Sequence, residues 1–397
     1  MIIRPKVKGF ICTTAHPGGC RANVAQLADL ARQGGPRTGG PNNVLVIGAS
    51  TGYGLASRAI AAFGYGANSL GVFLEKPASG NRTASAGWYN SAAFHEQAKQ
   101  QGVTAISVNA DAFANATRER VIAEISARLG PLDLVIYSLA SPRRQHPDTG
   151  VVYNSVLKPI GAPLDQTGLD TDRGIIRQFH IEPATEDEIA NTIAVMGGDD
   201  WQRWLLALQA ANLLAPGCKT TAYTYLGDSV TRSIYWNGTI GAAKKDLDRV
   251  AGVLRQRGID ARVSVLKAVV TQASAAIPAM PLYLALLFRV MQANGTDEGC
   301  GGQIDRLFRE CLYHAAPRCD ADGRYRVDDR ELAREVQAEV ERLWPQVNND
   351  NLTTISDFAG FRNEFLRLFG FQVDGVDYEA DLDPVAPIAG LIDLTAA

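Results

Sequence analysis

A glycine-rich turn near the start of the chain most constrains the fold. The apolar run Asn43–Ile47 is followed by GASTGYG at positions 48–54 and then by a helical pattern from Leu55 to Phe63. A strand that passes through such a turn into a helix opens a βαβ unit, and its glycines let the backbone approach a pyrophosphate. The free amides and the positive dipole end of the helix favour the same anion. Because the spacing is GxxxGxG rather than GxGxxG, the place of the turn between strand and helix supports the prediction.

Similar short apolar runs recur along the chain, with helical stretches between them. They lie at residues 71–75, 103–108, 132–137, 220–225 and 261–266 and are rich in β-branched or aromatic residues. This alternation is typical of a parallel sheet of about six strands or more with helices on both faces. The sequence therefore predicts an α/β fold with a doubly wound parallel sheet of the Rossmann type.

The chain shows no stretch that resembles a linker, so we expect one elaborated dinucleotide-binding domain over residues 1–397. Turn residues and short β-like pieces replace a helix at 142–183, which we interpret as an inserted lobe on the substrate side. The pattern TEDE at 185–188 is a capping box and predicts the start of a helix. Residues 277–397 are predicted to form a mainly helical C-terminal extension.

Composition and targeting signals exclude several classes of protein. The formal net charge of -3 gives no broad attraction to nucleic acid or anionic lipid. The N-terminus lacks the apolar region of a signal peptide, and no segment approaches the roughly 20 apolar residues of a membrane span. Six cysteines without a CxxC pair and five scattered histidines predict free thiols and no metal site. We therefore expect a cytoplasmic protein without nucleic-acid or membrane partners.

Residues near the ends of the predicted strands favour NADH as the cofactor. Glu75 ends the second strand, where a carboxylate binds the adenosine ribose diol and repels a 2′-phosphate, although adjacent Lys76 softens that exclusion. Asp111 is predicted to bind adenine, with a helix cap as the alternative, and Tyr53 forms either a cofactor wall or core packing. The predicted cofactor-binding set is Gly48, Ser50, Thr51, Gly52, Tyr53, Phe73, Leu74, Glu75, Asp111, Ala112, Leu139, Ala140, Lys244, Val270, Thr271, Gln272 and Ala273.

Tyr235 and Lys244 are the predicted catalytic residues. The stretch YWNGTIGAAKK at 235–245 offers a phenol, two glycines and a lysine pair that enters a helix. On one straight helix, Lys244 would face away from Tyr235 and lie about 13 Å from it. Gly238 and Gly241 therefore suggest that Tyr235 lies in an irregular segment before the helix and folds back towards Lys244. Lys245 binds either phosphate or solvent.

The spacing Y-x8-K, together with the glycine turn, resembles the large bacterial enoyl-[acyl-carrier-protein] reductases, also described as trans-2-enoyl-CoA reductases, of the short-chain dehydrogenase superfamily. Other short-chain dehydrogenases carry Y-x3-K, and the familiar enoyl-thioester reductases among them carry Y-x6-K. The resemblance spans nearly the whole chain, from Arg4–Phe10 to Val373–Glu379. It implies NADH-dependent reduction of the trans-2 double bond of an enoyl thioester in fatty acid biosynthesis.

Enoyl reduction needs a hydrogen-bond donor at the thioester oxygen, where negative charge gathers as hydride reaches the β-carbon. Tyr235 is the expected donor, and Lys244 is expected to hold the nicotinamide ribose hydroxyls. Tyr225 is a second hydroxyl predicted to bind substrate, with a core aromatic as the alternative. Arg143 and Arg144 either meet an acidic carrier or coenzyme A phosphates, or are ordinary solvated charges.

Other functions and features stay open from the sequence. A carbonyl or hydroxyacyl dehydrogenase would also use Tyr and Lys, but its expected Y-x3-K is absent, and a non-catalytic NADH-sensing protein would share the fold. The carrier of the thioester is either acyl carrier protein or coenzyme A. The apolar segment 280–288 either lines an acyl tunnel or packs in the core. We expect a monomer, because the lobe and the extension would cover surfaces that smaller relatives use for tetramer contacts.

Overall fold

The structure, a computed structural model, describes residues 1–395; positions 396 and 397 of the predicted domain and extension lie outside the described residues. The strands are β1 Val7–Lys8, β2 Ile11–Cys12, β3 Asn43–Ile47, β4 Asn68–Phe73, β5 Ala105–Asn109, β6 Leu132–Tyr137, β7 Arg143–Gln145, β8 Val152–Asn154, β9 Leu164–Asp170, β10 Ile175–Ile181, β11 Leu214–Thr224, β12 Asp260–Val265, β13 Tyr325–Arg326 and β14 Ile392–Asp393.

The helices lie between these strands and dominate the last third of the chain. They are α1 Pro17–Arg32, α2 Gly52–Ala59, α3 Ala86–Gln101, α4 Asn115–Arg128, α5 Glu186–Met196, α6 Asp199–Ala210, α7 Ser229–Arg232, α8 Thr239–Gln256, α9 Gln272–Ala275, α10 Met280–Ala293, α11 Cys300–Arg306, α12 Arg334–Leu343, α13 Leu352–Ile355 and α14 Phe358–Arg367. Two π-helical turns, Ile60–Gly64 and Leu307–Leu312, extend α2 and α11, and a 3₁₀ turn, Trp344–Gln346, follows α12. None of the helices within residues 1–395 is long and apolar enough to cross a membrane.

In the described residues, the central sheet has eight strands in the order β13-β12-β11-β6-β3-β4-β5-β14. Every neighbouring pair is parallel. Strands β4 and β5 lie on one side of β3, and β6, β11 and β12 lie on the other side in chain order. This order confirms the predicted doubly wound α/β fold. The second strand covers Asn68–Phe73 instead of 71–75, because its polar first residues pair in register with both neighbours.

Alternating side chains of the sheet supply the core on its two faces. Val44 and Val46 of β3 join the buried cluster with α1, α2 and α11, whereas Leu45 and Ile47 join the cluster with α4, α6 and α8. All four side chains are fully buried. A strand that is apolar on both faces reads as a continuous hydrophobic run, which is why the sequence revealed it.

Two regions surround this sheet. Residues 142–183 contain two antiparallel hairpins, β7–β8 and β9–β10. The predicted capping box then begins α5: Thr185 Oγ1 accepts from the Glu188 N–H at 3.2 Å, and Glu188 Oε2 accepts from the Thr185 N–H at 2.9 Å. After residue 277, α12 and α14 pack against buried α10, whereas α11 packs against α1 and α2. Strand β14 returns to the sheet edge beside β5.

Candidate active site

The carboxyl ends of the central strands open into one cavity of about 2130 Å³. Every residue predicted for cofactor binding, substrate binding or catalysis lines this cavity. The topology explains the convergence, because the loops after parallel strands emerge at one edge of the sheet. A place in the wall assigns no role by itself, so the contacts of each group decide what it can do.

The turn after β3 has the backbone shape of a phosphate site. Gly48 has a φ of +88°, and a β-carbon there would lie 2.7 Å from the Ser138 carbonyl carbon. A β-carbon on Gly54 would lie 2.9 Å from the Gly48 carbonyl carbon, so α2 packs directly on the turn. Thr51 is the N-cap of α2, and its side chain accepts no hydrogen bond from the first turn. The helix N-terminus can therefore bind an anion.

Glu75 is held in the cavity wall in a fixed orientation. Ser50 Oγ donates to Glu75 Oε1 at 2.7 Å. Buried Asn109 accepts from the Glu75 N–H at 2.8 Å and donates to the Glu75 carbonyl at 3.1 Å. Burial raises the pKa of the Glu75 carboxyl above its ordinary value, and the hydrogen bond from Ser50 opposes this shift. A carboxylate fixed in this way is suited to accept from a ribose diol.

Asn109 and Gly87 support Glu75, and neither was predicted from the sequence. A β-carbon at Gly87 would collide with the Glu75 carboxylate and lie 2.8 Å from Ser50 Cβ. Nothing in the sequence around Gly87 shows this approach. Asn109 did leave a signal, because it is a polar residue at the end of a mainly apolar strand.

Asp111 forms a turn at the edge of the cavity. Its Oδ1 accepts from the Phe113 N–H at 2.9 Å, and the side chain is exposed. Helix α4 begins at Asn115 with Ala114 as its N-cap, so the alternative that Asp111 caps this helix is wrong. The carboxylate can therefore accept from a base in the cavity.

Tyr53 braces the glycine turn against the neighbouring strands. Its hydroxyl donates to the Lys267 carbonyl at 2.7 Å, and its ring packs edge-to-face on Tyr223 with centroids 6.0 Å apart. Of the two roles left open by the sequence, these contacts favour packing.

The neighbouring segment after β12 is shaped by Thr271, which accepts from the Ser274 N–H at 3.0 Å and caps α9.

Tyr235 lies in the turn between α7 and α8, ahead of the helix that carries Lys244. Its carbonyl accepts from the Gly238 N–H at 3.2 Å and from the Gly241 N–H at 3.0 Å, so the turn folds back over the start of the helix. A β-carbon on Gly241 would lie 2.6 Å from Trp236 Cα. The predicted irregular segment is therefore present, and glycine is required where it crosses the helix.

Tyr235 and Lys244 both reach the cavity, and neither side chain has a hydrogen-bond or ion-pair partner within residues 1–395. Burial raises the pKa of the Tyr235 phenol, so the phenol keeps its proton and can donate it. Burial lowers the pKa of Lys244 to about 8, because no neighbouring carboxylate offsets the loss of hydration. The pair therefore offers one phenolic donor and one cation to a ligand.

The Tyr225 hydroxyl, predicted to bind substrate, is already bound within the protein. It donates to Glu331 Oε1 at 2.9 Å and lies 2.9 Å from Thr231 Oγ1. The Tyr225 ring packs edge-to-face on the Tyr235 ring, with centroids 5.1 Å apart. These contacts fit the alternative of a core aromatic, but Tyr225 also lines the cavity, so direct substrate binding stays a prediction. Glu331 lies 106 residues from Tyr225 and left no signal in the sequence.

Two positively charged sites proposed for phosphates differ in the structure. Arg144 is buried and pairs with Asp199 at 2.6 Å, so it cannot meet an acidic carrier. Arg143 is exposed and lines the cavity. Lys245 Nζ lies 5.3 Å from the centroid of the Trp236 ring, at the surface.

The apolar segment 280–288 serves mainly as core. It forms the first part of α10, and all of its residues are buried. Met280 and Phe288 line the cavity as well. The acyl-tunnel interpretation is therefore limited to these two side chains.

Comparison with known proteins identifies the family. The family model described as "Trans-2-enoyl-CoA reductase catalytic region" matches residues 82–313, and the model described as "NAD(P)H binding domain of trans-2-enoyl-CoA reductase" matches residues 2–80. The chain belongs to the enoyl reductase family. The enoyl-[acyl-carrier-protein] reductase (NADH) of Methylobacillus flagellatus is 60% identical over 98% of this chain and 99% of that protein.

A second relative and a solved structure support the same family. The enoyl-[acyl-carrier-protein] reductase (NADH) of Pseudomonas aeruginosa strain UCBPP-PA14 is 57% identical over 99% of this chain and 100% of that protein. The crystal structure of Treponema denticola trans-2-enoyl-CoA reductase in complex with NAD is 43% identical, with a TM-score of 0.94 over 98% of this chain and 100% of that chain. These likenesses confirm the predicted family and the NAD-type cofactor.

A third family model, described as "Enoyl reductase FAD binding domain", matches residues 319–382. Those residues do not fit a flavin dinucleotide. Strand β13 has two residues, and no glycine lies between it and α12, so the segment lacks the strand, glycine turn and helix that bind a pyrophosphate. Strand β3, the glycine turn at 48–54 and helix α2 have those features, and Glu75 adds a carboxylate for the adenosine ribose. NADH is therefore the cofactor that the residues of this chain support.

Proposed function

We propose that this chain reduces the trans-2 double bond of an enoyl thioester with NADH, through Tyr235 and Lys244. The observation that carries the proposal is the availability of one phenol. Among described tyrosines that line the cavity, Tyr235 alone has an unbound hydroxyl. The others are hydrogen-bonded within the protein, namely Tyr53, Tyr137, Tyr223 and Tyr225.

The residues that would hold NADH follow the carboxyl edge of the sheet. Glu75 would accept from the adenosine ribose, and Asp111 and Ala112 would border the adenine. The amides at 50–53 would bind the pyrophosphate. Lys244 would donate to the nicotinamide ribose hydroxyls. The remaining wall residues near this end are Leu139, Ala140, Val270, Thr271, Gln272 and Ala273.

Bound NADH supplies a hydride for the β-carbon of the substrate. The Tyr235 O–H would donate a hydrogen bond to the thioester oxygen, and this bond would strengthen as negative charge gathers there. A proton from solvent would then add to the α-carbon and complete the reduction. Because its pKa is raised, Tyr235 remains a phenol at neutral pH. Lys244 contributes a positive charge and fixes the ribose, so it supports the reaction rather than protonating the substrate.

The two alternatives predict different results. A carbonyl or hydroxyacyl dehydrogenase would use the same tyrosine to protonate an alkoxide, and its substrate would be a ketoacyl thioester. A NADH-sensing protein would bind the cofactor without turnover. The unbound Tyr235 phenol, which lines the same cavity as Lys244, favours catalysis over sensing.

The test is the loss of NADH absorbance with crotonyl-CoA, with an enoyl thioester on acyl carrier protein, and with acetoacetyl-CoA, each repeated with NADPH. We expect turnover with the enoyl thioesters and a preference for NADH. Turnover with acetoacetyl-CoA alone would support the dehydrogenase, and binding without turnover would support the sensor.

The proposal also covers the thioester carrier, the oligomeric state and the cellular compartment. Exposed Arg143 offers a cation to the phosphates of coenzyme A or to an acidic acyl carrier protein, so either carrier is compatible with the cavity. We propose a cytoplasmic monomer that acts in fatty acid biosynthesis. Light scattering of the purified protein should give the mass of one chain, 42.6 kDa, and a multiple of that mass would contradict the monomer.

A further inference from the structure

Glu331 is a fully buried carboxylate between β13 and α12, and it forms no ion pair within residues 1–395. Three donors surround it instead. The hydroxyls of Tyr225 and Tyr283 donate to Oε1 at 2.9 and 2.6 Å, and the Ala268 N–H donates to Oε2 at 2.7 Å. A buried carboxylate is costly unless hydrogen bonds satisfy it, so this arrangement depends on all three donors.

The donors connect Glu331 to the active site. Tyr225 follows β11, and its ring packs on Tyr235 with an interplanar angle of 77°. Ala268 follows β12, so its N–H anchors one oxygen of Glu331 to the end of that neighbouring strand. The other oxygen is then fixed relative to the sheet and reaches the Tyr225 hydroxyl.

The directions of these hydrogen bonds are restricted. Gln337 Nε2 donates to the Tyr283 oxygen at 3.1 Å, so the Tyr283 proton is directed to Glu331. Thr231 Oγ1 can donate to the Tyr225 oxygen while Tyr225 donates to Glu331. Displacement of the Tyr225 hydroxyl would break these buried hydrogen bonds, so they fix the position of the ring beside Tyr235.

We propose that Glu331 is a positioning residue that acts through Tyr225 to hold the Tyr235 phenol in its reactive orientation. The inference rests on the proposed function, because it assigns Tyr235 the donor role. Glu331 itself touches neither substrate nor cofactor in this account.

The first test is Glu331→Gln in the full-length protein. The amide keeps one acceptor oxygen but presents an NH₂ group to a donor, so at least one buried donor is left unpaired. We expect kcat with crotonyl-CoA to fall about 10- to 100-fold, as for a slightly misplaced catalytic group. The Kd for NADH should stay within about threefold of wild type, since Glu75 and the glycine turn are untouched.

The control is Glu335→Gln, an exposed residue in the first turn of α12 that makes the same change of charge. It should retain wild-type kcat. An unchanged kcat in Glu331→Gln would overturn the proposal. An increased kcat would overturn it too, because it would mean that Glu331 withholds the Tyr225 hydroxyl from the substrate.

A second pair of variants avoids any folding defect of Glu331→Gln. Tyr225→Phe and Tyr283→Phe each remove one phenol from the same carboxylate oxygen, but Tyr225 alone packs on Tyr235. We expect Tyr225→Phe to lower kcat about 10-fold and Tyr283→Phe to retain it. Glu331→Gln added to Tyr225→Phe should cause little further loss, because both changes act through one contact. Equal losses in the two tyrosine variants, or losses that multiply in the double variant, would overturn the proposal.

The two proposals fail in different ways. If wild type has no turnover with enoyl thioesters, both are wrong. If wild type is active but the variants do not follow this pattern, the role of Glu331 alone is wrong.

Discussion

Replacing Gly241 with alanine should displace Tyr235 relative to Lys244. A β-carbon at this position would lie 2.6 Å from Trp236 Cα, whereas ordinary contact begins near 3.4 Å. Because the neighbour is backbone, the turn that carries Tyr235 has to move by about 1 Å relative to α8. A catalytic group misplaced by about 1 Å loses about 10²-fold in rate. We therefore expect Gly241→Ala to lower kcat about 10²-fold.

The matched control is Gly252→Ala in the same helix, where the nearest atom to an added β-carbon is Arg255 Nη2 at 3.9 Å. This change should leave kcat unaltered and stabilise α8 by up to about 1 kcal/mol, because alanine favours helix over glycine. The assay is NADH oxidation with crotonyl-CoA, with thermal unfolding and NADH binding measured on the same samples. A folded Gly241→Ala protein with kcat within about threefold of wild type would refute the reasoning.

Further predictions concern charge and support in the cofactor site. The wild-type kcat/KM should fall as pH rises through about 8, because Lys244 loses its charge above its lowered pKa. Lys244→Arg should lack this decline, because arginine keeps its charge. A flat pH profile in wild type would contradict the prediction. Glu75→Gln should shift the ratio of kcat/KM for NADPH over NADH upward by about 10-fold, because the repulsion of the 2′-phosphate is removed. Asn109→Ala should raise the KM for NADH with little change in kcat, since the Asn109 side chain holds the Glu75 backbone and its other hydrogen bond, to Asp393 at 3.4 Å, lies at the sheet edge. A loss confined to kcat would contradict that role.

The central strands and the phosphate turn could be predicted because their signals are local. Strands β3 and β6 have the predicted bounds, 43–47 and 132–137, because each is a short apolar run that ends at turn residues. Edge strands β13 and β14 were missed. Each has two residues and forms only by pairing with distant segments, so no periodicity marks them.

The place of Glu75 in the cavity wall could be predicted, because it depends on the position of the residue at a strand end. Contacts with a distant partner could not be predicted. Tyr225 has the position of a substrate ligand, but its hydroxyl is bound by Glu331, 106 residues away. Arg144 likewise has the sequence context of a surface charge, but in the structure it is buried and bonds to Asp199, 55 residues away.

Tyr235→Phe tests the central claim most directly, because it removes the donated hydrogen bond and keeps the ring that packs on Tyr225. The measurement is kcat for NADH oxidation with crotonyl-CoA, together with the Kd for NADH on the same protein. We expect kcat to fall about 10²- to 10³-fold, the effect of losing one oxyanion donor, and the Kd for NADH to stay unchanged. A Tyr235→Phe protein that binds NADH and keeps wild-type kcat would contradict it.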